Sequence, residues 1–207
     1  MNLVTLTDPQ SKVAEAYRSL RTNLHFAMLE APLRTLLVVA PNPSNGAALV
    51  VANLAVTLAQ IGRRVIAVDA DFYTPALHEA FNAPSVPGLA DWLADLTATS
   101  QPPLQATALP DLRLLASGTR PAIPADVISS DRMTHAIARL GEMADLVLFS
   151  APSLSTHSEA GILASRMDGA LLVVEAGKTR RDSAQKARDI LTRARARILG
   201  VVMLSQS

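Results

Sequence analysis

Apolar residues recur with two different periods along this chain. Between 9 and 30, Val13, Ala16, Tyr17, Leu20, Leu24 and Met28 fall at helical spacing. That spacing predicts an amphipathic helix with those residues as its core stripe, Pro9 in its first turn and Pro32 closing it. Beyond it, short apolar runs alternate with helical patterns. Strands are predicted at 35–40, 64–69, 111–116, 145–150, 169–175 and 197–204. Helices are predicted at 47–61, 75–81, 88–96, 131–142, 157–166 and 180–194. The segment 97–110, with Pro102, Pro103 and Pro110, reads as a surface loop. Several strands are almost wholly apolar, as in Leu146–Phe149, Ala170–Val174 and Ile198–Leu204, which suits a parallel sheet buried on both faces. The expectation is a single α/β domain over 1–207, with 1–32 as its N-terminal helical segment. Its architecture would be a doubly wound, mainly parallel sheet flanked by helices in three layers. Ligands in such sheets bind at the carboxyl ends of the strands.

Composition narrows the classes of function. At 207 residues, with 49% hydrophobic and 18% charged residues, the chain has enough apolar surface to bury a core. It has no cysteine, which excludes disulfides, zinc–thiolate sites and thiol catalysis. Met1 is followed by polar residues and Asp8-Pro9, with no secretory signal pattern, and no apolar run is long enough to span a bilayer. A cytoplasmic location is therefore expected. A net charge of +1 makes no general case for nucleic acid. Lys178–Arg197 nevertheless holds eight basic residues against Asp182 and Asp189, a solvated helix face or a docking surface for anionic lipid or an acidic partner. Aromatic interleaving for nucleic acid is absent from it. His25, His78, His135 and His157 show no metal-ligand spacing. Ser153, Ser155 and Ser158 lie outside any nucleophile elbow and read as loop polarity.

The most informative segment is Pro41–Ala48, Pro-Asn-Pro-Ser-Asn-Gly-Ala-Ala, between the first predicted strand and the helix after it. This is the place of a phosphate-binding P-loop, where backbone N–H groups and a helix N-terminus converge on phosphates. The residues that do this are missing. Pro41 and Pro43 have no N–H, and only Gly46 is left of the glycines. Ala47 stands where the lysine would be and Ala48 where the magnesium-binding hydroxyl would be; Ser44 and Asn45 complete the altered loop. No Gly-x-Gly-x-x-Gly opens the helix, which argues against a dinucleotide-dependent oxidoreductase even though Asp69 ends the second strand.

An ordered set of segments resembles the cytoplasmic kinase domain of bacterial tyrosine kinases (BY-kinases), which regulate capsule and exopolysaccharide export. These are relatives of the deviant-Walker ATPases. The segments are Ala14–Leu24, Ala52–Val56, Val65–Asp71, Pro87–Asp91, the Gly118–Pro124 turn, and Asp168–Val174 with Ala176–Arg180. The resemblance covers nearly the whole chain and implies a P-loop NTPase-like fold, with ATP and magnesium as the family's cofactors. It also shows where this chain departs. The Walker B strand ends at Ser150 instead of an aspartate, and Leu204 stands where the family offers an asparagine to adenine. The family's tyrosine cluster has no counterpart, Tyr17 and Tyr73 being the only tyrosines.

Asp69 and Asp71 match the family's Walker A′ pair, which assists metal binding and proton removal. The alternative, favoured in the absence of the lysine, is that both carboxylates bond loop N–H groups at the strand's end. Glu15, Arg18 and Arg21 match the family's Glu-x-x-Arg-x-x-Arg motif, whose charges pair between subunits of a ring; the plain alternative is pairing within the helix. Removing one electrostatic donor from a transition state costs about 10²–10³ in rate. Losing lysine, hydroxyl and carboxylate together leaves little for phosphoryl transfer. The leading expectation is a catalytically inactive scaffold or regulator of exopolysaccharide or capsule synthesis, needing no cofactor. Its expected partners are itself, a paralogous BY-kinase, or a membrane chain-length regulator that would hold it at the inner face of the membrane. The rivals are an active kinase or ATPase using substitute groups, and a positioning factor docked on the membrane through 178–197.

Overall fold

The computed structural model describes residues 2–95 and 101–205. A seven-stranded sheet runs in the order β3-β4-β2-β5-β1-β6-β7. Its strands are β1 (Thr35–Val39), β2 (Val65–Asp69), β3 (Gln105–Ala106), β4 (Leu112–Leu115), β5 (Leu146–Ser150), β6 (Gly169–Glu175) and β7 (Ile198–Leu204). All neighbours pair in parallel except the short edge strand β3, which is antiparallel to β4. Period-two alternation sends successive residues to opposite faces. Leu36 and Val38 of β1 therefore enter one core, and Leu37 and Val39 the other. Both faces are covered, which is why these strands read as unbroken apolar runs.

The first face packs α1 (Val4–Thr7), α2 (Lys12–Glu30), α3 (Gly46–Ala59) and α4 (Leu77–Ala80). The second packs α5 (Leu89–Ala94), α6 (Pro124–Ser129), α7 (Asp131–Met143), α8 (Glu159–Ser165) and α9 (Arg181–Arg193). The expected three-layer α/β architecture is what the chain adopts. The strand β1 lies between β5 and β6, so the chain turns outward in both directions from it. That switch point places the Pro41–Asn45 loop at the carboxyl edge of the sheet.

Several boundaries differ from the pattern reading. The first long helix starts at Lys12, because Ser11 caps it by accepting the Ala14 N–H at 3.1 Å. Pro9 therefore precedes the helix and lends its carbonyl to Arg18. Within α2, Ala14, Tyr17 and Leu24 are buried and Leu20 and Met28 partly so, whereas Val13 and Ala16 are exposed. These two line a groove beside the edge strand β7 instead of the core. The loop expected at 97–110 contains the strand β3, and its residues 97–100 lie outside the described residues, as does Leu96 of the helix expected at 88–96. Pattern reading also missed α1 and α6; the latter announces itself only by Pro124 in its first turn.

A buried polar cluster fixes α1 to α3. Asn53, fully buried, accepts from the Thr5 N–H at 3.2 Å and the Thr5 hydroxyl at 3.0 Å, and donates to the carbonyls of Asn2 and Leu49. An Asn53→Ala variant strands two buried Thr5 donors, and such losses cost about 1–3 kcal/mol per unmet group. Urea unfolding of that variant should show a fall of about 2–3 kcal/mol, with hydrogen exchange rising first in residues 3–7.

Candidate functional site

The loop after β1 is held at its base by the loop after the adjacent strand β5. The carbonyls of Ala40 and Pro41 accept the N–H groups of Leu154 and Ser155 at 3.1 and 2.9 Å. The loop then runs directly into α3, whose N-cap residue, Asn45, makes no side-chain cap. The Gly46 N–H is instead taken by the Ser44 hydroxyl at 3.2 Å. Ala47 and Ala48 are buried, and their methyl groups face Asp69, Asp71 and Ser150 across a cleft.

That cleft is nearly closed. Only about 10 Å³ is free among Ser44, Asn45, Ala47, Ala48, Asp69, Asp71, Thr74, Ala76, Ser150 and Ala151. This is room for about one water molecule. Asp69 is completely buried and already has four donors. One oxygen accepts the Ser150 hydroxyl at 3.0 Å and the Asp71 N–H at 3.2 Å, and the other accepts the Ala76 and Leu77 N–H groups at 3.0 and 2.9 Å. Asp71 accepts the Tyr73 and Thr74 N–H groups at 2.9 and 3.0 Å and the Thr74 hydroxyl at 2.9 Å. Both carboxylates therefore bond loop N–H groups, the plainer of the two roles open to them. Among the described residues no group of three or more His, Asp and Glu side chains could hold a metal. The lining of this cleft does not fit a magnesium–phosphate group: it offers no cation, only the methyl groups of Ala47 and Ala48 from α3, and no room.

Burial of Asp69 has an electrostatic consequence. Desolvation pushes its carboxyl up to about 6, against the opposing pull of the Leu77 and Asp71 N–H groups. Ser150, next to Asp69 in the strand register, supplies the hydroxyl donor that a second carboxylate could not.

On the other side of the loop lies an open cavity of about 770 Å³. Pro41–Gly46, Leu49, Val173 and Leu204 line it, together with Glu175, Lys178 and Thr179. Sequence reading placed Leu204 here, counted Lys178 only within the basic run 178–197, and gave Glu175 and Thr179 no role; Lys178 and Thr179 fall in a resembling segment and Glu175 in none. A second group it missed joins the loops after β2, β4 and β5. The Tyr73 hydroxyl donates to buried Glu159, the His157 ring stacks on Tyr73 at 3.6 Å between centroids, and the Arg120 guanidinium lies 5.7 Å from the Tyr73 ring. Burial and the Glu159 carboxylate push the Tyr73 phenol up to about 12.

Glu15, Arg18 and Arg21 are not part of this region. Arg18 pairs with Glu15 at 2.7 Å and also donates to the Pro9 carbonyl. Arg21 donates to the carbonyl of Thr57, at the far end of α3 and about 16 Å of helix away from the loop. The carboxylate of Glu15 is the exposed member, 65% accessible.

A mostly parallel sheet with a loop–helix unit at its switch point is the doubly wound architecture that P-loop ATPases share with other nucleotide-binding folds. Solved structures agree. The chimerical protein CapA2B2 superposes with a TM-score of 0.91 at 26% identity, over 99% of this chain and 89% of that one. The septum site-determining protein MinD of Pyrococcus horikoshii, complexed with Mg-ADP, superposes at 0.68 and 25% identity, over 82% and 69%. No family model matches the chain. It is, however, 33% identical over 202 residues to the tyrosine-protein kinase YwqD of Bacillus subtilis (strain 168), covering 98% of this chain and 85% of that relative. The chain belongs to the bacterial tyrosine kinase family; it is also similar to CapB of Staphylococcus aureus and EpsB of Ralstonia solanacearum.

The raised carboxyl of Asp69 carries a sign that can be checked. Its folded value lies above the ordinary 3.8, so the folded chain binds the proton more tightly. Its contribution to stability is complete below pH 4 and is lost as pH rises through 6. Unfolding free energy of the native protein should therefore gain about 1 kcal/mol on going from pH 7 to pH 5. In Asp69→Asn that gain should be absent, as read by paired urea titrations at the two pH values.

Proposed function

We propose that this protein is a catalytically inactive member of its family, a scaffold or regulator in exopolysaccharide or capsule biosynthesis and export. The observation that supports this best is the closed cleft at Ala47 and Ala48, where a phosphoryl-transfer enzyme needs a cation, a metal ligand and space. On this reading no ATP or magnesium is required. The partners are further copies of the chain, subunits of an active paralogue, or a membrane chain-length regulator, and nucleic acid is not among them. The protein would work in the cytoplasm, brought to the inner face of the membrane by such a partner. No helix among the described residues is long and apolar enough to cross a membrane by itself.

Assembly would use the exposed side of α2. Glu15 is free to face a neighbouring subunit, and Arg18, held by Glu15 and a loop carbonyl, would exchange partners on contact. Arg21 is committed to Thr57 and would act by stiffening the helix. A second reading draws on α9 and its flanks. There Arg180, Arg181, Lys186, Arg193 and Arg195 form no ion pair or side-chain hydrogen bond among the described residues, which leaves them available to anionic lipid headgroups.

Calorimetric titration with magnesium–ATP should give no heat of binding, and incubation should give no phosphotyrosine; a dissociation constant in the millimolar range or below would remove the proposal. Sedimentation of the native protein against Glu15→Arg should show the variant shifted to smaller species, and an unchanged distribution would remove α2 from the interface. Co-sedimentation with anionic vesicles that is insensitive to salt would exclude the membrane contact.

A further inference from the structure

The space above Gly46, where a loop glycine would let a ligand oxygen approach, is filled by the chain itself. A Cβ built on Gly46 would stand 3.2 Å from Leu204 Cδ1, 3.2 Å from Ser44 Oγ and 3.3 Å from Glu175 Oε1. Two oxygens from separate segments therefore converge on one point at the start of α3. The Ser44 hydroxyl accepts the Gly46 N–H at 3.2 Å and lies on the same side of the loop as the Glu175 carboxylate, which it helps to keep ionised. Lys178 Nζ lies 3.1 Å from the other Glu175 oxygen. A tight turn fixes this arrangement. The Glu175 N–H donates to the Thr179 hydroxyl at 2.9 Å, and the Glu175 carbonyl accepts the N–H groups of Lys178 and Thr179 at 3.1 and 2.8 Å.

The Glu175 side chain is only 19% exposed, and the Ser44 and Lys178 donors hold its carboxyl below the usual range. It is an anion at neutral pH. The one cation lining the large cavity, Lys178, is paired with it. The loop thus faces the cavity with a carboxylate oxygen close to Gly46 and with its lysine already engaged, so a phosphate brought to Gly46 would meet that oxygen at close range and find no free cation in the cavity lining.

We propose that Glu175 is a tethered anion that takes the phosphate's place at the loop. It holds the Ser44–Leu49 turn closed without any ligand and makes the adjoining 770 Å³ cavity refuse phosphate-bearing molecules. The loop is then permanently in the form that a nucleotide would otherwise induce, and assembly through other surfaces is independent of nucleotide. This rests on the reading of the protein as catalytically silent, but it can fail separately.

The test is hydrogen exchange at Ser44–Leu49 in the native protein, in Glu175→Ala and in Glu175→Gln, with and without millimolar inorganic pyrophosphate. Glu175→Ala should raise exchange in this stretch by about ten-fold or more. Pyrophosphate should restore protection in that variant and leave the native protein unchanged. Glu175→Gln keeps a hydroxyl acceptor but no charge, so it should show the smaller rise and still respond to pyrophosphate, which keeps the test open if the alanine variant folds poorly. Equal protection in all three proteins, or protection of the native loop by pyrophosphate, would overturn the tethered anion. Equal protection together with silent magnesium–ATP titrations would overturn it while leaving the inactive-scaffold reading standing.

Discussion

The carboxylate of Asp69 is the constraint on which the ligand edge of this molecule depends. It lies fully buried at the end of β2 and ties that strand to Ser150 of β5 and to the N–H groups that start α4. A buried carboxylate is tolerated only when its lone pairs are met, and here four donors meet them. Its position then decides what its neighbours can be. A second carboxylate at 150 would put like charges side by side in a dry site, whereas a serine donates. Asp71 can turn outward onto its own loop because Asp69 already anchors the strand end. The result is a compact hydrogen-bonded corner in place of a metal site.

The open side of the same loop has the opposite character. Between Gly46 and β7 lies a large cavity whose polar lining includes Asn42, Ser44, Asn45, Glu175, Lys178, Thr179 and Ser205. Closure of one side and persistence of the other separate two roles that a nucleotide would unite. The cleft beside Asp69 is filled with the methyl groups of Ala47 and Ala48, and the cavity across the loop keeps its volume. Leu204 makes the rear wall apolar and offers no amide to an incoming ring.

The fold was largely legible because the central strands are buried on both faces and the helices between them have clear periodicity. What was illegible shared one cause: local pattern does not report tertiary pairing. The strand β3 is two residues long and exists only because β4 offers an edge. Val13 and Ala16 have perfect helical spacing with Tyr17, yet α2 is turned so that Ala14, Tyr17 and Leu24 meet α3 instead. At the site, the missing lysine and hydroxyl could be read directly, as could the hydrogen-bonding role of the two aspartates. The tethered carboxylate could not, because Glu175 and Ser44 are 131 positions apart and only the β6–β1 pairing brings their segments together. The Tyr73–His157–Glu159 group was hidden for the same reason.

The position of α3 is set by packing and not by anything the loop before it binds. Thirteen of its fourteen residues, all but Leu49, are buried. The helix is wedged between α2 and the sheet by Val50, Val51, Leu54 and Val56, each with no exposed surface. Burying such side chains contributes about 1.5–3 kcal/mol each. A bound phosphate is therefore not needed to hold the helix in place. A lysine at 47 would need a partner in that dry cleft, and the buried methyl group of Ala47 does not. A helix held in this way keeps its place whatever the loop before it does or does not bind.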